Sequence, residues 1–379
     1  MYSVLNYGHM AADGVRMDAY ARAIERAVKP GQVVLDIGAG TGILSLLAAR
    51  AGARRVHAVE PNPAVWLIPE LARENGLADR VEIHHTSSYE LTLAERADVI
   101  VSDLRGSVPT HGDHFAVLRD AKERLLAPGG VLIPQRDELF VSVFENDEIA
   151  AWLERGSSGF ERRGWSADAV RRSILNTPVA DAGRVRASDL LTDSAPWATV
   201  TYGDQPAVLE GEVELTARRR GMTHGLVVWF SATILDDIGF TTEPGTSMVY
   251  SRFVLPLLEP VELEHGDRVH LVVRVDEQGQ RWAWETTVRT REDRPKTRAR
   301  QSSFFGMPTS PEALLRGSTT FAPVPSALGE RAKQVLAMMN GERTVTDLAN
   351  ELGALPSAPA LPARALLEEV RDLVARYGR

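Results

Sequence analysis

A glycine-rich turn between an apolar strand and a helix constrains the fold of this 379-residue chain most strongly. A strand is predicted at Val33–Ile37, residues 36–42 read DIGAGTG, and Glu60 ends the strand that follows the helix. Glycines let the backbone turn tightly and let a ligand approach it, and the amide groups at a helix start favour an electron-rich ligand. The pattern predicts a site for an adenosine cofactor.

Two details favour S-adenosylmethionine over a dinucleotide. The spacing is Gly-x-Gly-x-Gly rather than Gly-x-Gly-x-x-Gly, and an acidic residue, Asp36, precedes the first glycine. We expect Glu60 to accept both ribose hydroxyls, and Asp36 to hold the methionine ammonium or a ribose-side water. A structural turn without a ligand is the alternative. His84 and His85, at a strand end, are structural or stack near adenine beside Ser87 and Ser88. The predicted cofactor residues, with Asp103 further along the chain, are Asp36, Gly38, Gly40, Thr41, Gly42, Leu44, Glu60, Pro61, Ser87 and Ser88.

The order of predicted elements divides the chain. Strands and helices alternate up to residue 134, which indicates α/β architecture with a mostly parallel, doubly wound Rossmann-like sheet. Short strands dominate from residue 199, which is typical of an antiparallel barrel or sandwich. We therefore predict an N-terminal helix and cofactor domain at 1–134, a β-barrel domain at 135–320 and a small helical domain at 330–379.

Composition excludes several kinds of chemistry. The chain has no cysteine, so disulfides, thiolate zinc sites and the iron–sulfur clusters of radical enzymes are impossible. A net charge of −8 argues against a nucleic-acid partner. No apolar run is long enough to span a bilayer, and the N-terminus lacks the features of a signal peptide. These features favour a cytoplasmic protein without a membrane partner.

The sequence resembles the protein arginine methyltransferases over roughly residues 2–320. The resemblance is carried by VLDIGAGTGILSLLAARAGARRVHAVE (34–60), by HGLVVWF (224–230), and by Met10, Asp13, Val15, Arg16 and Tyr20 at the family's spacing. It implies that Arg16 pairs with the carboxylate of the cofactor, a role that suits a guanidinium. Phe160, Ser166, Arg171 and Pro178 resemble the family's helical arm, here at about 148–190, which implies a homodimer or a lid.

The acceptor loop departs from this resemblance. The family clamps a guanidinium between two glutamates, but the loop at 102–115 places Asp103 at the first position and Gly112 at the second. Arg105 follows Asp103, and we expect it to repel a guanidinium and to attract a carboxylate. Asp113, His111 and His114 are the nearby candidates for catalysis, with histidine as the base. The histidines could equally lie in a solvated loop or form half of a metal site, and no metal site is predicted.

The segment 330–379 lies outside the arginine methyltransferase pattern. It reads as three helices and resembles the small winged-helix domains of the PqqD type, which bind leader peptides. Seven Lys/Arg and seven Asp/Glu give it no net charge, which favours peptide docking over DNA binding. A cap that only stabilises the barrel is the other reading.

These observations predict an S-adenosylmethionine-dependent methyltransferase that modifies a peptide or natural-product side chain, at nitrogen or at a carboxylate oxygen. One alternative is a genuine protein arginine N-methyltransferase, in which Asp103 and Asp113 replace the paired glutamates. Another is a non-catalytic scaffold or binding module.

Overall fold

The computed structural model describes residues 2–110, 114–204, 208–276, 281–355 and 361–378. The chain divides into two compact units, Met1–Pro308 and Thr309–Arg379. The first unit contains both the parallel sheet and the antiparallel sheets. Within the described ranges, no helix combines the length and the apolar character needed to cross a membrane.

A five-stranded parallel sheet forms the first half of the larger unit. Its strand order is β3-β2-β1-β4-β5, and the middle strand β1 is buried along its whole length. Alternation of strands and helices produces this order, because parallel neighbours need a crossover connection. The doubly wound sheet predicted from the sequence is confirmed. The strands are β1 (Val33–Ile37), β2 (Arg55–Val59), β3 (Val81–His84), β4 (Ala97–Ser102) and β5 (Leu126–Ile133), and the helices are α3 (Ile43–Arg50), α4 (Ile68–Glu74) and α5 (His114–Arg124).

Two helices precede this sheet, where the sequence pattern suggested one amphipathic segment. They are α1 (Val4–Ala11) and α2 (Gly14–Ala27). The helices are separate because Asp13 caps α2, with its carboxylate accepting from the backbone N–H of Arg16 at 3.2 Å. The second carboxylate oxygen of Asp13 accepts from the backbone N–H of Val249 at 2.8 Å. The start of α2 is thereby tied to the antiparallel region.

The antiparallel region consists of two larger sheets and a two-stranded ribbon. The sheets run β7-β13-β11-β6-β8, with β12 on β11, and β17-β16-β15-β9, and the ribbon pairs β10 with β14. The antiparallel β-domain expected from the sequence is confirmed. Its strands are β6 (Arg136–Phe144), β7 (Val179–Ala180), β8 (Ala195–Thr201), β9 (Val208–Thr216), β10 (Gly221–Met222), β11 (Gly225–Leu235), β12 (Ile238–Thr241), β13 (Phe253–Pro256), β14 (Glu262–Leu263), β15 (Arg268–Asp276), β16 (Trp282–Arg289) and β17 (Pro295–Ser302).

Alternating apolar side chains of these sheets fill one core, in which Trp197 and Trp282 pack against each other. A second core joins α2 to the antiparallel strands, because Tyr20 and Ile24 pack in the same cluster as Phe230. Apolar burial of this kind is the main force that holds the two halves of the unit together.

Two helices lie between β6 and β8 in sequence, where a helical arm was expected. They are α6 (Asp147–Glu161) and α7 (Asp168–Leu175). Ile149 and Leu153 of α6 are buried against β11 and β13. Two further short helices follow β17: α8 (Ser303–Gly306) lies at the end of the first unit and α9 (Pro311–Arg316) belongs to the second.

The second unit has its own small core. It contains α10 (Ala327–Met338), α11 (Val345–Ala354) and α12 (Ala363–Tyr377). Val335, Leu352 and Val370 come from the three helices and meet in this core. The described residues of this unit form helices and no strand, so no β-wing of a winged-helix domain lies among them.

Candidate active site

A cavity of about 450 Å³ opens at the carboxyl ends of the parallel strands. Loops that follow β1, β2 and β4 contribute to its wall, and this end of an open α/β sheet is where ligands ordinarily bind. Helix α1 and the loop after β12 cover the remaining sides. The lining residues are Tyr2, Tyr7, Met10, Ala11, Arg16, Gly38, Ala39, Gly40, Thr41, Ile43, Leu44, Glu60, Asp103, Leu104, Arg105, Gly106, Ser107, Val249, Tyr250 and Ser251.

Glycine is required at two points of the turn after β1. Gly40 and Gly42 have φ of +55° and +89°, a left-handed conformation that side chains with a Cβ rarely adopt. A Cβ on Gly40 would lie 2.6 Å from Cε1 of Tyr7, and one on Gly42 would lie 2.8 Å from Ile68. The turn therefore passes directly beneath α1, so that its amide groups can face the cavity.

Glu60 is held in position by main-chain donors. One carboxylate oxygen accepts from the N–H of Gly40 at 3.0 Å, and the other accepts from the N–H of Asn62 at 2.7 Å. Each oxygen retains a lone pair, and the side chain lines the cavity. Glu60 can therefore receive two ribose hydroxyls without moving.

Arg16 also lines the cavity and contributes a positive charge to its wall. It forms an ion pair with Asp103, and its Nη2 donates to the carbonyl of Met10 at 2.6 Å. Burial opposes the charge of Arg16, but the adjacent Asp103 raises the pKa of the guanidinium above its usual value. The buried Nε of Arg16 has no hydrogen-bond partner among the residues that the structure describes.

The residues of this cavity fit S-adenosylmethionine. Glu60 suits the ribose, and the guanidinium of Arg16, with one donor unused, suits a carboxylate. The glycine turn leaves room for a ligand close to the backbone. Gly38, Gly40, Thr41 and Leu44 line the cavity as the sequence pattern suggested, and Gly42 begins helix α3 beside it.

Other predicted cofactor residues lie away from this cavity. Asp36 is completely buried, accepts from the hydroxyl of Ser45 at 2.6 Å and is absent from the cavity lining, so its contact with the cofactor stays a prediction. Burial raises the pKa of Asp36 to about 7. Pro61, Ser87 and Ser88 are absent from the cavity lining. Ser87 instead accepts from the N–H of Tyr89.

Asp103, in the loop after β4, lines the cavity and is surrounded by hydrogen-bond donors. It is paired with Arg16, it accepts from Arg105 Nη1 at 3.1 Å, and the hydroxyl of Tyr250 lies 2.6 and 2.7 Å from its two oxygens. Burial alone would raise the pKa of Asp103, but the two guanidinium groups hold it below its usual value. Asp103 is therefore a charged, positioned acceptor of hydrogen bonds and a weak base.

Arg105 does not present its charge to the acceptor, contrary to the sequence-based expectation. The residue is 7% exposed but its side chain is 0% exposed, so its main chain accounts for its place in the cavity wall. The guanidinium forms two bonds with Asp137, at 2.6 and 2.9 Å, and donates to Tyr20 at 2.7 Å. Its charge is used to join the loop after β4 to β6.

Of the two histidines proposed as the catalytic base, His111 and His114, the structure describes only His114, and its position does not suit that role. His114 is buried and stacks on Tyr202 with ring centroids 4.9 Å apart, and it lies outside the cavity lining. Burial, with a contribution from Arg105, lowers the pKa of His114 to about 3. A buried ring of this kind cannot collect a proton from the acceptor. His111, Gly112 and Asp113 lie outside the described residues.

Comparison with known proteins agrees with this geometry. The model of the ribosomal protein L11 methyltransferase (PrmA) family matches residues 20–132. Protein arginine N-methyltransferase 6 of Danio rerio is 31% identical over 236 residues, which cover 59% of this chain and 67% of that protein. The chain belongs to the protein arginine methyltransferase family. The Xenopus tropicalis protein of the same name is 28% identical over 274 residues, which cover 69% of this chain and 80% of that one.

Solved structures show the same fold for this arginine methyltransferase family member. The Trypanosoma brucei PRMT1 enzyme-prozyme heterotetrameric complex with AdoHcy matches with a TM-score of 0.70 and 22% identity, over 78% of this chain and 96% of that one. Protein arginine methyltransferase 10 of Arabidopsis thaliana matches with a TM-score of 0.68 and 20% identity, over 79% and 97% of the two chains. The protein is an S-adenosylmethionine-dependent methyltransferase, which sets aside the scaffold alternative.

Sequence reasoning missed three tyrosines of this family member's site. Tyr2 and Tyr7 bring α1 over the glycine turn, and their rings meet edge to face at 5.9 Å. Burial, followed by the charge of Glu60, raises the pKa of Tyr7 to about 12. The hydroxyl of Tyr250 donates to Asp103 and positions it. Tyrosine is a common residue in binding sites, but no local pattern in the sequence assigned these three tyrosines to the cavity.

Proposed function

We propose that this methyltransferase acts on an uncharged nitrogen of a peptide or of a peptide-derived natural product. The observation that carries the proposal is the charge balance at the acceptor end of the cavity. Arg16, Arg105, Asp103 and Asp137 form one contiguous cluster of two cations and two anions. A charged guanidinium would meet no uncompensated carboxylate within this cluster, and desolvating it there would be costly.

The same cluster argues against a carboxylate as acceptor. A carboxylate acceptor would need the positive charge of Arg105 to face the cavity, but Asp137 already neutralises this charge. A neutral nitrogen needs neither a second glutamate nor an exposed cation. Asp103 can accept a hydrogen bond from the N–H of this nitrogen. The Tyr250 oxygen can accept a second hydrogen bond while the Tyr250 hydroxyl hydrogen is donated to Asp103.

The chemistry asked of the protein is mainly positioning. When bound, S-adenosylmethionine supplies an electrophilic methyl group on a sulfonium. Asp103 and Tyr250 orient the nitrogen lone pair, since an in-line displacement depends on alignment. The nitrogen would become positively charged as its bond to the methyl carbon forms and the methyl–sulfur bond breaks, with a neutral thioether as the leaving group. The carboxylate of Asp103 would stabilise the charge on the nitrogen. The surplus proton then leaves the nitrogen to solvent.

The acceptor class is testable with matched peptides. The full-length protein is incubated with labelled S-adenosylmethionine and with peptides encoded near its own gene, alongside arginine-rich histone-tail peptides. Fragment mass spectra locate the added methyl group. We expect methylation of a non-guanidinium nitrogen, and none by Glu60→Gln. Methylarginine as the main product, or a methyl ester, would overturn the proposal.

Protein arginine N-methylation is the second candidate, because the matched relatives carry that name. It requires Asp113 to act as the second carboxylate. Asp113→Asn separates the two candidates. The variant loses most arginine methylation if Asp113 clamps a guanidinium, whereas it retains activity on a neutral nitrogen within about threefold, under 1 kcal/mol.

We further propose that the 309–379 unit binds the peptide that is to be methylated. Its support is an independent three-helix core and a zero net charge over 330–379. Removing residues 309–379 is expected to raise the KM for the peptide while the affinity for S-adenosylmethionine stays unchanged. An unchanged KM would leave the unit as a cap and contradict this role.

A further inference from the structure

A cluster of two histidines and one glutamate lies on the edge of the parallel sheet, apart from the methyl-transfer cavity. His57 is on β2, and Glu82 and His84 are on β3, the edge strand. Alternate residues of a strand share one face. Strand pairing places His57 opposite Glu82. None of the three lines the cavity.

The distances between their ligand atoms match those of a metal site. His57 Nδ1 lies 3.0 Å from His84 Nε2 and 3.7 Å from Glu82 Oε2, and His84 Nε2 lies 3.8 Å from Glu82 Oε1. Zinc binds such atoms at about 2.0–2.2 Å in tetrahedral geometry, which separates neighbouring ligand atoms by about 3.4 Å. One ion can thus reach all three side chains with only small movements.

The surroundings of the cluster also suit a cation. Arg55 donates to Glu82 Oε2 at 2.8 Å, which orients the carboxylate while Oε1 points toward His84. Partners of this kind commonly hold metal ligands in place. Glu82 is about half exposed, with 45% of its side chain accessible, so solvent can fill a remaining position of the ion.

We propose that His57, Glu82 and His84 bind one divalent transition-metal ion of the zinc type, with water completing its coordination. Two imidazoles and one carboxylate are ligands that this class of ion accepts, whereas magnesium and calcium prefer sites built only from oxygen. The ion would clamp the edge strand β3 to β2. The proposal does not depend on the identity of the methyl acceptor.

The test uses the untagged full-length protein after chelator treatment. Zn²⁺ is titrated by calorimetry, and Co²⁺ is added in parallel because its visible absorption reports nitrogen and oxygen ligands. We expect one ion per chain and a higher Tm with Zn²⁺. His57→Gln and His84→Gln should each weaken binding at least about tenfold, or about 1.4 kcal/mol.

Two histidines outside the cluster provide matched controls. His85 is bonded to the carbonyl of Pro61, and His270 forms a surface pair with Glu212. His85→Gln and His270→Gln should leave the stoichiometry and the affinity unchanged. Absence of binding, or binding that survives His57→Gln and His84→Gln in folded protein, would overturn the proposal and leave a hydrogen-bonded histidine pair. S-adenosylmethionine binding by the variants verifies that they are folded.

Discussion

Arg105 is the residue whose meaning changes most between sequence and structure. Its position in the acceptor loop suggested contact with a substrate. Its guanidinium instead lies above the rings of Tyr202 and Phe230, at 5.5 and 5.6 Å, while Asp137 neutralises it. The quadrupole of an aromatic ring attracts a cation that lies over its face. The guanidinium of Arg105 therefore has favourable contacts with both rings and with Asp137. Arg105 is a structural residue of the interior.

Replacing Arg105 by Met should therefore reduce stability. The buried carboxylate of Asp137 would lose its ion pair, and breaking a buried pair from one side costs roughly 3–5 kcal/mol. Arg105→Met/Asp137→Leu should recover part of this loss because no buried charge is left behind. Urea denaturation measures the free energy of unfolding of each variant.

The control for this pair is Arg26→Met, which breaks a surface ion pair with Asp237. Exposed pairs contribute little, so its unfolding free energy should stay close to that of the wild type. A similarly small effect of Arg105→Met would contradict the structural role.

Two buried titratable groups predict opposite pH dependences of stability. His114 has its pKa lowered to about 3, so its contribution is present above pH 6.5 and is lost as the pH falls toward 3. Asp36 has its pKa raised from 3.8 to about 7, so its contribution is present at low pH and is lost as the pH rises to 7. Each effect approaches about 1.4 kcal/mol per pH unit.

Between pH 4 and 6.5 the two effects oppose each other in the wild type. His114→Phe keeps the stacking and leaves only the Asp36 effect, so its unfolding free energy should rise relative to the wild type on acidification. Asp36→Asn should show the reverse. Denaturation curves at several pH values in this range check both, and parallel curves for all three proteins would refute the assignment.

At the scale of elements, the glycine turn and α1 act as one unit. Tyr7 packs where a side chain on Gly40 would have to go, and Asn62 Nδ2 donates to the carbonyl of Tyr2 at 3.2 Å. The loop after β2 thus anchors the start of α1, and α1 closes over the turn after β1. Cofactor binding should depend on this closure.

Gly40→Ala should weaken S-adenosylmethionine binding at least about tenfold, or about 1.4 kcal/mol. The new methyl group would displace Tyr7, in addition to straining the backbone. Gly76→Ala is the matched control, since Gly76 also has a positive φ, +69°, but no atom lies within 4 Å of its added Cβ. Calorimetry compares the two, and equal affinities would show that α1 is not required.

At the scale of the molecule, the helical arm formed by α6 and α7 exposes large aromatic side chains. Phe160 and Trp165 lie at the turn between α6 and α7 and are 49% and 68% exposed. Large apolar side chains exposed together are typical of interaction surfaces. We propose that this arm forms a homodimer, as the sequence predicted, and the exposure of these two rings supports the proposal.

Phe160→Ala/Trp165→Ala should shift the protein from dimer to monomer in sedimentation velocity experiments. The buried aromatic rings would otherwise supply much of the association energy. Trp66→Ala, which removes an exposed tryptophan from another surface, should leave the dimer intact. A wild-type protein that sediments as a monomer would refute this role of the arm.

Local patterns in the sequence were sufficient for the parallel sheet and its cofactor turn. The strand at Val33–Ile37 was predicted at its observed bounds, and Glu60 follows the next strand, Arg55–Val59, as expected. Buried strands, glycine turns and amphipathic helices have short periods, so they can be read without knowing distant neighbours. The long strand β6 (Arg136–Phe144) was missed, although it is central to its sheet.

The tertiary structure decided the roles of individual charged side chains. Arg105 and Asp137 are 32 residues apart, and Tyr250 is 147 residues from Asp103. Whether such a group faces a ligand, a counter-ion or a ring depends on contacts between distant segments. Burial and the neighbouring charges together then shift its pKa. The sequence alone thus determined that S-adenosylmethionine binds to this fold, whereas packing decided which charges remain available to an acceptor.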